Sequence, residues 1–122
     1  GCSDADFDGE PDATDCAPLD ATVWGAPGPV ADLDAAGDAP TALTWLAPAA
    51  PGASVPLYDL LRSDLPQFAG AVCLESDGID LTGEDLATPG MIYFYLVRVE
   101  TPCGSNIGSG SAGTPRSAPS CP

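Results

Sequence analysis

Asp4, Asp6 and Asp8 alternate along the chain, Gly9 follows at once, and Asp12 and Asp15 come next at intervals of three. Carboxylates at this spacing do the chemistry of a hard divalent cation. A calcium loop places side-chain oxygens at positions 1, 3 and 5, a turn glycine at 6, a backbone carbonyl at 7, and oxygens at 9 and 12. Counted from Asp4, those positions fall on Asp4, Asp6, Asp8, Gly9, Glu10, Asp12 and Asp15. Empty, such a loop would hold mutually repelling charges; a cation that takes six to eight oxygens removes the conflict. A merely solvated acidic run has no reason to place glycine sixth. The candidate metal ligands are therefore Asp4, Asp6, Asp8, Glu10, Asp12 and Asp15, and Ca2+ is the expected ion. Asp20 either extends this set or caps a turn.

The flanks exclude a helix-opening calcium switch. Position 12 is Asp15 rather than glutamate, Pro11 sits inside the loop, and Cys16-Ala17-Pro18 follows it. Residues 4–18 instead resemble thrombospondin type 3 repeats and related aspartate-rich bacterial repeats. That resemblance implies a loop wrapped around ions with little regular secondary structure.

Charge and composition set the limits on partners. Three arginines, no lysine and no histidine stand against 18 acidic residues in 122, for a formal charge of −15. Nucleic acid needs a basic footprint, so neither it nor an anionic membrane surface is an expected partner. No apolar run approaches the length of a membrane span. Five cysteines without a zinc-type Cys-x-x-Cys pair read as disulfides made in an oxidising compartment. The expected location is therefore secreted or at the cell surface, where millimolar calcium suits weak loops. The chain starts at Gly1 without methionine, which reads as a processed product or a piece of something longer. Gly1-Cys2 also resembles the end of a bacterial lipoprotein cleavage box.

The elements that must carry the acidic loop are strands. Fourteen glycines and fourteen prolines punctuate short apolar runs, the pattern of an all-β chain. The organisation reads as an acidic repeat over 1–20, a joint over 21–28, a sandwich over 29–117 and a tail over 118–122 holding Cys121. Strands are expected over 30–33, 41–46, 57–62, 72–74, 79–82, 91–99 and 109–114. Seven at this spacing make a β-sandwich.

Pro29-Val30-x-x-Leu33, Leu43-Thr44-Trp45-x-x-Pro48, Tyr58-x-Leu60-x-Arg62-Ser63, Pro89-Gly90-x-x-Tyr93-x-Tyr95-x-Val97-x-Val99 and Gly113-Thr114-Pro115 together resemble a fibronectin type III domain across about residues 29–116. The resemblance implies a seven-stranded immunoglobulin-like sandwich. It also puts Tyr93 at the tyrosine corner, whose hydroxyl bonds backbone near a turn. An aspartate repeat feeding such a sandwich resembles C-terminal modules of large secreted bacterial proteins.

Alternation assigns the faces. Tyr93, Tyr95, Val97 and Val99 should point inward with Leu33, Leu43, Trp45, Tyr58 and Leu60. Leu57, Leu61, Ile92, Phe94 and Leu96 then fall together on an outer face. Five apolar residues clustered there make either a candidate interface or a surface covered by the 63–72 loop through Leu65 and Phe68.

Cysteine arithmetic leaves one of five unpaired. Cys73 and Cys103 are expected at the same end of the sandwich and to bond each other. The module resemblance implies Cys16–Cys121 as the second bridge, because Cys2 lies outside the pattern; Cys2–Cys16 is the competing scheme. Either leaves an odd cysteine at a chain end for a crosslink to a neighbour.

Without histidine, Ser-His-Asp and Cys-His mechanisms lose their base, and carboxylate pairs such as Glu84/Asp85 or Glu75/Asp77 fall in expected loops. The chain reads as a non-enzyme. Two binding classes are left. One is a calcium-stabilised, disulfide-bonded structural module that self-associates or joins neighbouring domains, in its sharpest form the subunit of a homopolymeric surface filament. The other is an adhesive or carbohydrate-binding accessory module, for which Trp24, Phe7 and Phe68 are the aromatic candidates.

Overall fold

In the computed structural model, residues 3–37, 40–66, 68, 70–87, 93–108 and 118–121 are described. They hold seven strands and no helix: β1 Ala31–Ala36, β2 Thr41–Leu46, β3 Leu57–Ser63, β4 Val72–Gly78, β5 Thr82–Asp85, β6 Phe94–Thr101 and β7 Gly104–Asn106. The strands form a three-stranded sheet in the order β1-β2-β5 and a four-stranded sheet in the order β4-β3-β6-β7. Every pairing is antiparallel. This is the expected all-β sandwich.

β2 shows why these residues make a half-buried strand. Thr41, Leu43 and Trp45 are buried while Ala42, Thr44 and Leu46 are exposed, the period-two pattern of a sheet wet on one side. Opposite it, Tyr58 and Leu60 of β3 and Val97 and Val99 of β6 complete a buried cluster with Leu43 and Trp45. Val30, Leu33, Leu74, Leu81 and Tyr95 pack around its rim. The Trp45 and Tyr58 rings meet across the sheets at 5.9 Å and 58°, a favoured tilted contact. The expected inward set is thus found, apart from Tyr93, whose ring lies over the Arg62 guanidinium at 4.5 Å. The hydroxyl that ties β6 to another strand is that of Tyr95, which donates to Asp85 Oδ2 at 2.9 Å. The turn that a tyrosine corner would bond lies outside the described residues.

Two strand expectations are corrected. β5 begins at Thr82 rather than near Ile79, which is exposed. β6 runs on to Thr101 and turns through Pro102 and Cys103 straight into β7. The Thr101 side chain accepts the Cys103 amide and so closes this hairpin. The strand expected over 109–114 lies outside the described residues.

The outer face of β3 and β6 is not an open interface. Leu61 and Leu96 are buried there with Phe68, and Ala71, Cys73, Phe94, Ile107, Ala118 and Cys121 pack against them. The 63–72 loop and the C-terminal segment supply the cover. Phe68 provides it while Leu65 stays exposed. Leu57 lines a shallow groove with Val23, Val55 and Pro102, and Ile92 lies outside the described residues.

The disulfides use the four expected cysteines with partners exchanged: Cys16–Cys103 and Cys73–Cys121. Strand direction is the reason. Cys73 pairs with Leu61, which pairs with Leu96 near the start of β6, whereas Cys103 follows the end of that strand. The strand from Leu96 to its end at Thr101 alone spans about 17 Å, far beyond the reach of a disulfide. The expected Cys73–Cys103 bridge is therefore excluded, and Cys16–Cys121 with it. Cys2 lies outside the described residues.

Candidate metal centre

The acidic loop folds by hydrogen bonds between its own carboxylates and amides. The Gly9 amide donates to Asp4 Oδ2 at 3.0 Å, the Asp8 amide to Asp6 Oδ1 at 3.3 Å, and the Glu10 amide to Asp8 Oδ1 at 2.8 Å. Ala17 donates likewise to Asp15 Oδ1 at 2.8 Å. Gly9 adopts φ 101°, open to glycine alone, and Phe7 adopts φ 60°. That left-handed turn at Phe7 throws its ring into solvent between two inward-facing aspartates.

Each of these carboxylates has a second oxygen. Asp4 Oδ1, Asp6 Oδ2, Asp8 Oδ2 and Asp15 Oδ2 are shielded from solvent and have no hydrogen-bond partner. Asp4, Asp6 and Asp8 each bring a carboxylate oxygen within 4.8 Å of the others. Asp15 is only 6% exposed, and its charge reaches Asp6. The Asp6 carboxyl is pushed above its ordinary range, first by loss of water, then by Asp8, Asp4 and Asp15, while the Asp8 amide acts the other way. Shielded anionic oxygens without donors are costly. A donor set of carboxylate oxygens alone fits a hard cation such as Ca2+ and not a softer metal.

The other sequence candidates serve the loop itself. Asp12 Oδ1 accepts from the Ala5 amide at 2.9 Å, and the Asp12 amide donates to the Ser3 carbonyl at 2.7 Å. The Glu10 carboxylate accepts from the Thr14 hydroxyl. Asp20 is a cap: the Thr22 amide and hydroxyl both donate to its Oδ1, which holds its carboxyl below the usual range.

The loop is fastened to the sandwich at several points. Trp24 and Gly25 donate their amides to the Gly52 carbonyl, Gly28 to Ala50 and Ser54 to Thr22. The Thr101 hydroxyl donates to the Gly25 carbonyl and the Asn106 amide group to that of Pro27. Cys16–Cys103 adds a covalent tie beside Asp15. Trp24 is half-buried in this joint.

A second charged group went unread in the sequence. Asp59, 1% exposed, accepts from the Asp77 amide at 2.9 Å and lies 3.4 Å from the Arg98 guanidinium. Arg98 also donates to the Ala118 and Pro119 carbonyls at 3.1 and 2.8 Å. Glu100 lies beside Asp59 and Asp77, and its carboxyl is pushed up to about 7, chiefly by hydrogen bonding to Asp59. The signal in the sequence was alternation: Asp59, Arg98 and Glu100 share the outward register with Leu61 and Leu96. On the inner register, Arg62 pairs with the buried Asp85 at 2.8 Å.

Neither a protein-family model nor a curated protein matches the chain. Among solved structures, it is similar to an Fn3-like protein from Clostridium thermocellum, with a TM-score of 0.55 and 22% identity over 70% of this chain and 88% of that one. A structure described as titin kinase and its flanking domains gives a TM-score of 0.49 at 16% identity, over 66% of this chain and 15% of that one. With the clostridial likeness and the two-sheet layout together, the fold is a fibronectin type III-like β-sandwich, braced by two disulfides.

Proposed function

We propose that this chain is a calcium-stabilised structural module of an extracellular protein or matrix. The observation that supports this reading is the set of four shielded carboxylate oxygens, on Asp4, Asp6, Asp8 and Asp15, that lack any donor. Those four residues would hold the ion, which would supply the positive charge that the loop lacks. Around it the chain's own residues do the positioning. Backbone amides fix one oxygen of each carboxylate, Asp12 closes the loop, and Cys16 anchors it to the hairpin of β6 and β7. Disulfides and an extracellular calcium concentration belong to the same compartment.

The role is mechanical rather than catalytic, in keeping with a chain that has no histidine. Self-association into a filament or matrix is the sharper form of the proposal. Its joint would lie away from the Leu61–Leu96 face, which the chain itself covers.

Calorimetric titration with calcium and magnesium, followed by thermal unfolding in calcium and in EDTA, tests the reading. Binding of calcium with a rise in melting temperature is expected; an ion present at a hundred times its Kd stabilises by about 2.7 kcal/mol. No heat of binding and identical melts would refute it. Light scattering in calcium tests self-association separately, and a monomer at every concentration would remove the filament.

A further inference from the structure

The loop and the nearer disulfide meet at adjacent residues. Asp15 has a shielded, unpartnered oxygen, and its charge acts on Asp6 of the acidic centre; Cys16 is bonded to Cys103. Between them the chain has little freedom. The Asp15 amide donates to the Pro11 carbonyl at 2.9 Å, and the Ala17 amide returns to Asp15 Oδ1 at 2.8 Å. The far end of the bridge is equally fixed. The Cys103 amide donates to the Thr101 hydroxyl oxygen at 3.1 Å, and that hydroxyl donates to the Gly25 carbonyl at 2.8 Å. The tie to the sandwich that lies beside Asp15 is thus this one covalent bond. Cys16 is exposed, so that bond lies within reach of a soluble thiol.

We propose that cation binding in the acidic loop and the redox state of Cys16–Cys103 are reciprocally coupled, so that calcium protects this disulfide and reduction of it weakens the calcium site. The inference rests on the calcium reading given above. The reductant is a dithiol. One of its thiolates attacks Cys16 Sγ, and Cys103 leaves as a thiolate that takes up a proton. The second thiol of the reductant then displaces Cys16 and closes into a cyclic disulfide. Two electrons pass to the protein and two protein thiols result. With the tether gone, Asp15 keeps its local turn and is joined to β6 and β7 only through the more distant joint at Gly25 and Pro27. Bringing its oxygen to Asp4, Asp6 and Asp8 then costs ordering that the bridge had already supplied. By linkage, the factor by which the disulfide raises calcium affinity equals the factor by which calcium opposes its reduction at equilibrium. Cys73–Cys121 lies on the outer face with Leu61 and Leu96 and is the internal control.

The test equilibrates the native protein with mixtures of oxidised and reduced dithiothreitol, in millimolar calcium and in EDTA. Free thiols are alkylated and located by peptide mass spectrometry, and calcium binding to the oxidised protein is measured by calorimetry. The expected result is that calcium raises the reductant needed for Cys16–Cys103 by at least about fivefold, the lower edge of ordinary coupling, and leaves Cys73–Cys121 unchanged. Calorimetric binding with no change at Cys16–Cys103 would overturn the coupling and leave the calcium reading standing. An equal shift at both bridges would also overturn it, because the effect would then be global stabilisation. No heat of binding would overturn the calcium reading and the coupling together.

Discussion

The Arg98 guanidinium lies 3.4 Å from the Asp59 carboxylate on the face of β3 and β6 turned away from the second sheet, and both side chains are buried there. The same guanidinium holds the Ala118 and Pro119 carbonyls. One cation therefore neutralises a buried anion and pins the segment that covers Leu61 and Leu96.

Replacing Arg98 by methionine should keep the packing of its stem and strand Asp59 beside Glu100 and Asp77. Removing one partner of a buried pair costs about 3–5 kcal/mol. Denaturant unfolding of R98M should fall within that range, and a loss under about 1 kcal/mol would mean that the pair contributes little to holding the segment.

Glu100 makes stability depend on pH. Its carboxyl titrates at about 7 in the folded chain, against an ordinary value of 4.5, first through hydrogen bonding to Asp59, then through burial and the charges of Asp59 and Asp77, with Arg98 opposing. Between those values the folded chain keeps a proton that the unfolded chain releases. This contribution is complete below about pH 4.5 and is lost as pH rises through about 7. Thermal melts across that window should show wild type declining relative to E100Q, which has no proton to lose. Parallel profiles would rule the mechanism out.

Phe68 and Leu65 are neighbours on one loop with opposite environments, 8% and 42% exposed. Phe68→Ala should cost about 3 kcal/mol through the cavity left over Leu61 and Leu96. Leu65→Ala should stay within about 1 kcal/mol of wild type. Equal losses would mean that Leu65 shares the cover.

Gly52 has φ 75°, and a Cβ there would stand on the Gly25 carbonyl. The Gly52 carbonyl accepts the Trp24 and Gly25 amides, so the joint docks on the sandwich at this residue. Gly52→Ala should destabilise by at least about 1 kcal/mol from the left-handed backbone alone, with added loss from the collision. Faster hydrogen exchange at Trp24 and Gly25 is the local readout, and unchanged exchange would count against this docking contact.

Asp15 and Asp12 should separate a proposed ion ligand from a loop brace. Asp15→Asn removes the charge from a shielded oxygen without a donor and should weaken calcium binding by about tenfold or more, the order of 1.4 kcal/mol. Asp12→Asn keeps an acceptor for the Ala5 amide and should weaken it less. The reverse order would move the site toward the Asp12 end of the loop.

The inner face was legible because it depends on period alone. Leu43 and Trp45, Tyr58 and Leu60, Val97 and Val99 alternate, and the strands holding them place them together. The convergence of Asp4, Asp6 and Asp8 was legible for a similar reason, since turn geometry converts spacing into proximity. The disulfide partners were not, because Cys73 and Cys103 flank strands whose relative direction must be known before their distance is. The cover over Leu61 and Leu96 depends on where distant segments come to rest, which no local pattern states. Asp59 and Arg98 were missed because each alone reads as a wet outward residue, and only their shared register across β3 and β6 makes them a pair.

The disulfide pattern alters what pulling on this module can do. Cys16 is fused to Cys103 and Cys73 to Cys121, so three stretches of backbone connect the two fused points side by side. The shortest is the 18 residues from Cys103 to Cys121. Even fully unravelled, the anchors at Cys16 and Cys121 could part by only about 60 Å, against roughly 370 Å for the same chain with its thiols free. Beyond that length the load passes to covalent bonds, and the module acts as a short leash between whatever is joined to its two ends.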